Sequence, residues 1–157
     1  MVGQSGGNRG FRTMAGFKGT FKYSVDQKGR LNIPAKFRKT PGLPESYTIT
    51  RGLNGCLYVY PAEEWDKVEE KLRLLTRNDP TNLYYVRATL AKAADVQTDT
   101  QGRITIPGHL SKMAGLGKEV LVIGALDRME IWDPELFAKY IDESPESYEE
   151  VARKILI

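Results

Sequence analysis

Residues 25–39, VDQKGRLNIPAKFRK, recur as residues 98–112, TDTQGRITIPGHLSK, at an offset of 73 positions. The offset extends without a gap over residues 26–61 and 99–134, where ten of 36 aligned positions are identical. A chance similarity rarely keeps one offset through a Gly, an Arg, two Pro and a hydrophobic pattern. The chain is therefore built from a duplicated unit.

Each unit has the sequence pattern of short β-strands joined by turns. Apolar and polar residues alternate over 17–25 and again over 30–33, as they do in half-buried strands. The intervening Asp26 and Gly29 are typical turn residues, because Asp bonds nearby main-chain N–H groups and Gly tolerates positive φ. The gapless alignment also matches Tyr58 with Ile131 as apolar strand residues. We therefore expect about four short strands in each unit, arranged as a small meander.

Helices are expected after each unit. Apolar residues recur at steps of three and four over 61–75, 83–93, 133–141 and from 145 onward. We interpret these apolar stripes as packing within the core or between subunits. The predicted class is α+β. The predicted division is a disordered extension over 1–16, a first unit over 17–62, a helical connector over 63–93, a second unit over 94–136 and C-terminal helices over 137–157.

The composition excludes several functional classes. The chain has 157 residues, 41% of them hydrophobic, which suits one or two small domains. A single cysteine, Cys56, excludes an internal disulfide framework, and a single histidine, His109, leaves little room for a histidine metal site or two-histidine catalysis. We expect Cys56 to be buried and His109 to lie on the surface. The sequence lacks the roughly 20-residue apolar run of a membrane span, so we expect a soluble cytoplasmic protein, not an enzyme, without cofactor, metal or small-molecule substrate.

The net charge of +3 hides an uneven distribution. Residues 1–60 contain ten Lys and Arg against two acids, whereas residues 61–157 contain 13 bases and 18 acids. One interpretation is that the basic residues 1–60 bind a polyanion and are joined to an acidic second part of the chain. Chance clustering is the other.

The two D-x-x-G-R motifs, 26–30 and 99–103, are the most specific chemical signal. Their spacing puts an acid at the start of a tight turn and a guanidinium at its end, so the pair can fix the turn and orient the Arg side chain. An ordered Arg on a β-surface can contact phosphates and guanine edges. The alternative is that each Asp–Arg pair only holds its own turn closed.

The repeats differ in the bases around the motif. Repeat one has Lys28, Lys36 and Arg38 where repeat two has Gln101, His109 and Ser111. We therefore expect the first repeat to make most of the contact with DNA. The predicted DNA-binding residues are the two motif pairs and the bases near the first motif: Asp26, Arg30, Asp99, Arg103, Lys22, Lys28, Lys36 and Arg38.

The paired motifs, each followed by Ile-Pro, and the Phe-Lys-Gly that begins at Phe17 resemble the MraZ family of bacterial transcriptional regulators, over about residues 14–150. The resemblance implies an α+β fold of two AbrB-like (SpoVT-AbrB) swapped-hairpin β-barrel units, with helices following each repeat. It also implies a cytoplasmic, nucleoid-associated protein. Its partners would be double-stranded DNA, at tandem repeats upstream of the division and cell-wall gene cluster, and further copies of itself in a ring.

The sequence therefore leaves two candidate functions. The first is a sequence-specific DNA-binding regulator, and we expect repression because occupying a promoter blocks polymerase. The second is an antitoxin-like protein-interaction module of the AbrB/MazE type, whose acidic half grips a basic toxin. Such antitoxins usually have one β-unit and a disordered acidic tail, so the second unit and the apolar helical stripes favour the regulator.

Overall fold

Residues 16–155 are described by the computed structural model, and they form eight strands and five α-helices. The predicted extension therefore lies outside the described residues, except for Gly16. The predicted α+β class is confirmed. In chain order the elements are β1 (Phe17–Ser24), β2 (Arg30–Asn32), β3 (Ser46–Arg51), β4 (Leu57–Pro61), α1 (Ala62–Leu74), α2 (Pro80–Lys92), β5 (Ala94–Gln97), β6 (Arg103–Thr105), α3 (Gly108–Met113), β7 (Glu119–Leu126), β8 (Met129–Trp132), α4 (Pro134–Asp142) and α5 (Tyr148–Ile155).

The two repeats exchange strands, so the expected meander within each unit is wrong. One antiparallel sheet has the order β1-β7-β8-β4-β3-β5, and β2 and β6 form a separate two-stranded ribbon. The first strand of each repeat thus pairs with the third strand of the other repeat. The physical reason is burial: a four-stranded meander would leave one apolar face uncovered, whereas the exchange closes two layers around a shared core.

The strand registers reveal a pseudo-two-fold relation between the repeats. The pair Ser24↔Glu119 of β1 and β7, shifted by the repeat offset, becomes Ser46↔Gln97, which is the observed pair of β3 and β5. In the ribbon, Arg30↔Thr105 becomes Asn32↔Arg103 in the same way. The single chain therefore folds like a symmetric dimer of two units.

The gapless alignment fails in the last hairpin of each repeat. The loop between paired β3 and β4 residues spans 52–56, whereas the loop between β7 and β8 spans 125–128 and is one residue shorter. As a result, buried Leu57 and Val59 correspond to buried Met129 and Ile131. Matching Tyr58 with Ile131 is therefore wrong, because Tyr58 points to the opposite face of the sheet.

The main core lies between the sheet and the ribbon. Leu31 and Ile104 of the ribbon are 1% and 0% exposed, and they belong to one cluster with Ile49 and Val122 of the sheet. The other face of the sheet is partly covered by α1 and α2, and Trp65 of α1 is buried there. Within residues 16–155, no helix is long and apolar enough to cross a membrane.

Gly124 of β7 is expected to tolerate no side chain. A Cβ at this position would collide with the main-chain N and Cα of Lys18 on the adjacent strand. Gly124→Ala should therefore lower the free energy of unfolding by about 1–3 kcal/mol, since two paired strands must separate locally. The measurement is the melting temperature by circular dichroism. Gly117→Ala is the control, because a Cβ there meets nothing within 4 Å, and equal melting temperatures of the two variants would contradict the prediction.

Candidate nucleic-acid interface

The carboxylate of Asp26 organises the turn of the first motif. Its Oδ1 accepts hydrogen bonds from the main-chain N–H groups of Lys28 (2.9 Å) and Arg30 (2.8 Å). Its Oδ2 accepts a third bond from Nε of Arg30, at 2.6 Å. Gly29, with a φ of 81°, closes the turn by donating its N–H to the carbonyl of Asp26 (3.0 Å). The guanidinium of Arg30 is thus held through Nε, which leaves its terminal nitrogens for other partners.

The second motif repeats this geometry. Asp99 accepts from the main-chain N–H groups of Gln101 and Arg103 at 2.9 Å each, and from Nε of Arg103 at 2.8 Å. Gly102 has a φ of 77° and donates to the carbonyl of Asp99. The predicted pairing of acid and guanidinium across each turn is therefore confirmed.

Both motif carboxylates are held ionised. Hydrogen bonds from the main-chain N–H of Arg30 and of Arg103 are the main reason that the pKa values of Asp26 and Asp99 lie below the usual value, and the side-chain bonds from the same Arg residues add to this. A lowered carboxyl pKa means that the turn loses this support only when the pH falls through the lowered value. The motif geometry is therefore intact at neutral pH.

The ribbon brings the two turns side by side. The N–H of Ile33 donates to the carbonyl of Gly102 (3.0 Å), and that of Ile106 donates to the carbonyl of Gly29 (2.9 Å). A terminal nitrogen of Arg103 lies 4.0 Å from Oδ2 of Asp26 in the other repeat. The motifs, 73 residues apart in sequence, therefore form one surface.

One face of this ribbon points away from the core. Because Leu31 and Ile104 are buried, alternation along β2 and β6 turns their neighbours outward. We call this face, together with turns 26–29 and 99–102, the arginine ribbon. Its outward strand residues are Arg30, Asn32, Arg103 and Thr105.

Asn32 and Thr105 were missed as candidates by sequence reasoning. Both are exposed polar residues beside the motif arginines. The signal for them is the alternation itself, since each lies next to a buried residue of a three-residue strand. Amide and hydroxyl groups are suitable partners for base edges and phosphates.

Arg38 reaches across to the other repeat. Its guanidinium lies against Gly102, so closely that a Cβ at this glycine would collide with it. Its Nε is buried and has no hydrogen-bond partner among the described residues. Arg38 therefore adds a third guanidinium beside the arginine ribbon, next to the turn of repeat two rather than that of its own repeat.

Two predicted residues, Lys22 and Lys36, have other contacts. Lys22 projects from the sheet face opposite to Phe21 and Tyr23, which pack against the core, and its Nζ lies 4.0 Å from Glu119. Nζ of Lys36 lies 5.5 Å from the centre of the Phe21 ring. The structure thus brings together Asp26, Lys28, Arg30, Arg38, Asp99 and Arg103, and places Lys22 on a different face of the molecule.

Cys56 and His109 have structural contacts. Cys56 is 2% exposed, its Sγ–H donates to the carbonyl of Leu53 (3.3 Å), and burial raises the pKa of the thiol to about 12. The thiol is therefore protonated at neutral pH. Nε2 of exposed His109 lies 3.0 Å from the carbonyl oxygen of Lys92 and ties α3 to the end of α2. Within residues 16–155, no three His, Cys, Asp or Glu side chains are grouped to hold a metal ion.

Comparison with known proteins agrees with the duplicated fold. The family model described as "MraZ protein, putative antitoxin-like" matches the chain twice, over residues 17–84 and 89–156. The chain is 43% identical over 140 residues to a protein of Heliobacterium modesticaldum named "Transcriptional regulator MraZ", a match covering 89% of this chain and 96% of that protein. Proteins of the same name from Acetivibrio thermocellus (44% identity over 139 residues, 88% and 96% covered) and Pediococcus pentosaceus (43% over 140 residues, 89% and 96%) are similar to it. With two family matches spanning most of its length, the chain belongs to the MraZ family.

Proposed function

We propose that this protein is a transcriptional regulator that binds double-stranded DNA through the arginine ribbon. The observation that carries the proposal is the convergence of Arg30 and Arg103, each fixed by its own aspartate, on one exposed face of the β2–β6 ribbon. The major groove of DNA, about 12 Å wide, admits a two-stranded ribbon. Two ordered guanidinium groups at its surface are suited to bidentate contacts with guanine.

Nearby groups supply the contacts that position a protein on the duplex. Lys28 is exposed in the first turn and Arg38 lies beside the second. Cations at these places neutralise phosphates, which gives affinity but no base discrimination. The expected larger share of repeat one then rests on Lys28, whose counterpart in repeat two is the neutral Gln101.

The finer assignments are part of the same proposal. We propose that the strand exchange makes each unit, 17–62 and 94–136, an AbrB-like swapped-hairpin barrel unit. We propose further that several copies form a ring, that the ring binds tandem promoter repeats of the division and cell-wall gene cluster, and that binding represses transcription at the nucleoid in the cytoplasm. The two-fold relation of the strand registers supports the swapped-hairpin units, and the printed names of the relatives support a role in transcription.

Salt dependence and sequence preference test this function together. The unmodified chain is titrated, by fluorescence anisotropy, into a duplex with the tandem repeats and into a shuffled duplex of equal length. We expect binding to the repeats to be tighter by about 10³-fold or more, and the logarithm of the binding constant to fall linearly with that of the salt concentration. Equal affinity for both duplexes would overturn the assignment.

A protein-binding function is the second candidate, because the family description includes the word antitoxin. In that case the acidic half of the chain would bind a small basic protein. The acidic α1 is already engaged within the chain, since Arg73 pairs with Glu69 and Glu70. A chain that ignores both duplexes but binds a basic partner at equal stoichiometry would favour this candidate.

A further inference from the structure

The outward face of the arginine ribbon is symmetric in its arginines but not in the residues beside them. The repeat offset relates Arg30 to Arg103, so both halves of the face present a guanidinium. The same offset relates Asn32 to Thr105, and both of these side chains are exposed. One half of the ribbon therefore presents an amide at the place where the other half presents a hydroxyl and a methyl group.

The strand register places each of these two residues against an arginine of the other repeat. Asn32 pairs with Arg103, and Thr105 pairs with Arg30. Hydrogen-bonded and non-hydrogen-bonded pairs alternate along an antiparallel ladder, and main-chain bonds join the neighbouring pairs at the two ends of the ribbon, so both of these pairs are of the second kind. Residues paired in this way have Cα atoms about 4.5 Å apart. Because one step along a DNA strand is about 3.4 Å, the two side chains of a pair can contact adjacent bases.

The two unlike side chains suit different bases in the major groove. The amide of Asn32 has the donor and the acceptor for a bidentate contact with N6 and N7 of adenine. The methyl group of Thr105 is suited to contact with the C5-methyl group of thymine. Arg30 and Arg103, by contrast, are both suited to guanine. The two halves of the face are thus alike in one base contact and different in the other.

The two turns of the arginine ribbon also differ in sequence. Gln27 and Lys28 of the first turn correspond to Thr100 and Gln101 of the second. The turns lie at opposite ends of the ribbon, because β2 and β6 are antiparallel and each begins at its own turn. Lys28 is the cation of this set and suits a phosphate, and contacts with phosphates carry no sequence information. The unlike strand residues are therefore the ones placed to distinguish the two directions along a duplex.

We propose that Asn32 and Thr105 determine the direction in which this protein reads DNA. Asn32 recognises an adenine beside the guanine that Arg103 contacts, and Thr105 recognises a thymine at the equivalent place in the other half. A ribbon with exact two-fold symmetry would select a palindrome, since the symmetry of a DNA site mirrors that of the protein. With these two residues unlike, the selected element has a guanine on each strand but is not palindromic. Tandem repeats, which all run the same way, then each bind a chain in the same orientation. This inference rests on the proposed function, in which the arginine ribbon binds such repeats.

Selection from a duplex library with a randomised central segment tests the inference. The variants Asn32→Thr and Thr105→Asn each give the two halves of the outward face the same side chains, and a third variant combines both substitutions. The matched control carries Gln27→Thr and Lys28→Gln, which makes the two turns identical and leaves the strands unchanged. All four residues are exposed, so the variants should keep the fold, which circular dichroism checks.

The readout is the element that each protein enriches. We expect the unmodified chain to enrich a non-palindromic element, with adenine beside one guanine and thymine beside the other. Asn32→Thr should enrich a palindrome with thymine at both places, and Thr105→Asn a palindrome with adenine at both. The combined variant should recover the original element, because it binds that element the other way round. The control should bind more weakly and still enrich the original element.

A titration by fluorescence anisotropy gives the size of the effect. Replacing the selected adenine by guanine should weaken binding of the unmodified chain by about 10-fold to 100-fold, as expected for the loss of one bidentate contact. Variants of Asn32 and Thr105 that enrich the same bases beside the guanines as the unmodified chain would overturn the inference but not the proposed function. A palindromic element from the turn control would do the same. An unmodified chain that enriches no element would refute the proposed function and the inference with it.

Discussion

Arg30→Ala is expected to weaken binding to the tandem-repeat duplex by about 10-fold to 100-fold, since one bidentate contact with guanine is worth roughly 1–3 kcal/mol. The loss should multiply when several copies engage the DNA together, because each contact contributes to the avidity. The turn itself should persist, as the Oδ1 bonds of Asp26 go to main-chain N–H groups rather than to the deleted side chain. Fluorescence anisotropy near physiological salt measures the effect.

Three matched variants sharpen this test. Arg30→Lys keeps the charge but loses the planar fork, so it should retain binding to the shuffled duplex and lose preference for the repeats. Lys22→Ala removes one positive charge from the opposite face of the sheet and should change affinity less than about two-fold, as expected for a distant and screened charge. Arg103→Ala should lose less than Arg30→Ala. Unchanged affinity of Arg30→Ala would show that Arg30 does not contact the DNA. A larger loss for Arg103→Ala would show that the second repeat, and not the first, makes most of the contact.

Ile104→Ala is expected to destabilise the protein more than any surface substitution, by about 2–5 kcal/mol. Ile104 is 0% exposed and lies beneath the ribbon, in the cluster formed with Leu31 and the sheet. Truncation leaves a cavity that β6, paired on one side only with β2, fills poorly. At roughly 2–4 °C per kcal/mol for a chain of this size, the melting temperature should fall by about 4–20 °C.

Thr105→Ala is the control for this prediction, because Thr105 is the next residue on the same strand and lies on the exposed face. Its effect should stay within about 0.5 kcal/mol, as for other surface substitutions. Scanning fluorimetry of both variants at equal concentration gives the comparison. Similar melting temperatures would show that the ribbon is not seated on the sheet through Ile104.

Local patterns in the sequence are enough to predict most of the strands, turns and helices. Alternation over 17–25 predicted β1, and Asp26 and Gly29 predicted the turn that the hydrogen bonds of Asp26 confirm. The helices after each unit follow from apolar steps of three and four, although α2 begins at Pro80, three residues before the predicted start. Asp79 accounts for that start, since its carboxylate accepts from the N–H of Thr81 at 2.7 Å.

The short helix α3 and the shorter loop of repeat two were not predicted. Residues 108–113 contain too few turns for a helical period to stand out. The one-residue difference between loops 52–56 and 125–128 is hidden because the gapless alignment still matches Pro61 with Pro134. The burial of both Leu57 and Met129 shows that these two residues occupy equivalent positions in β4 and β8.

By itself the sequence determined the duplication, the strands, the helices other than α3, the acid–guanidinium turns and the concentration of bases in the first 60 residues. All of these depend on residues close together along the chain, or on comparing the chain with itself. Only the tertiary structure decided that the repeats exchange strands, that Arg30 and Arg103 share one face, that Arg38 crosses to Gly102 and that Lys22 faces away. These features depend on which strand pairs with which. The pairing is favoured because it buries Leu31 and Ile104 between two layers, and the free energy of that burial cannot be read from any local pattern in the sequence.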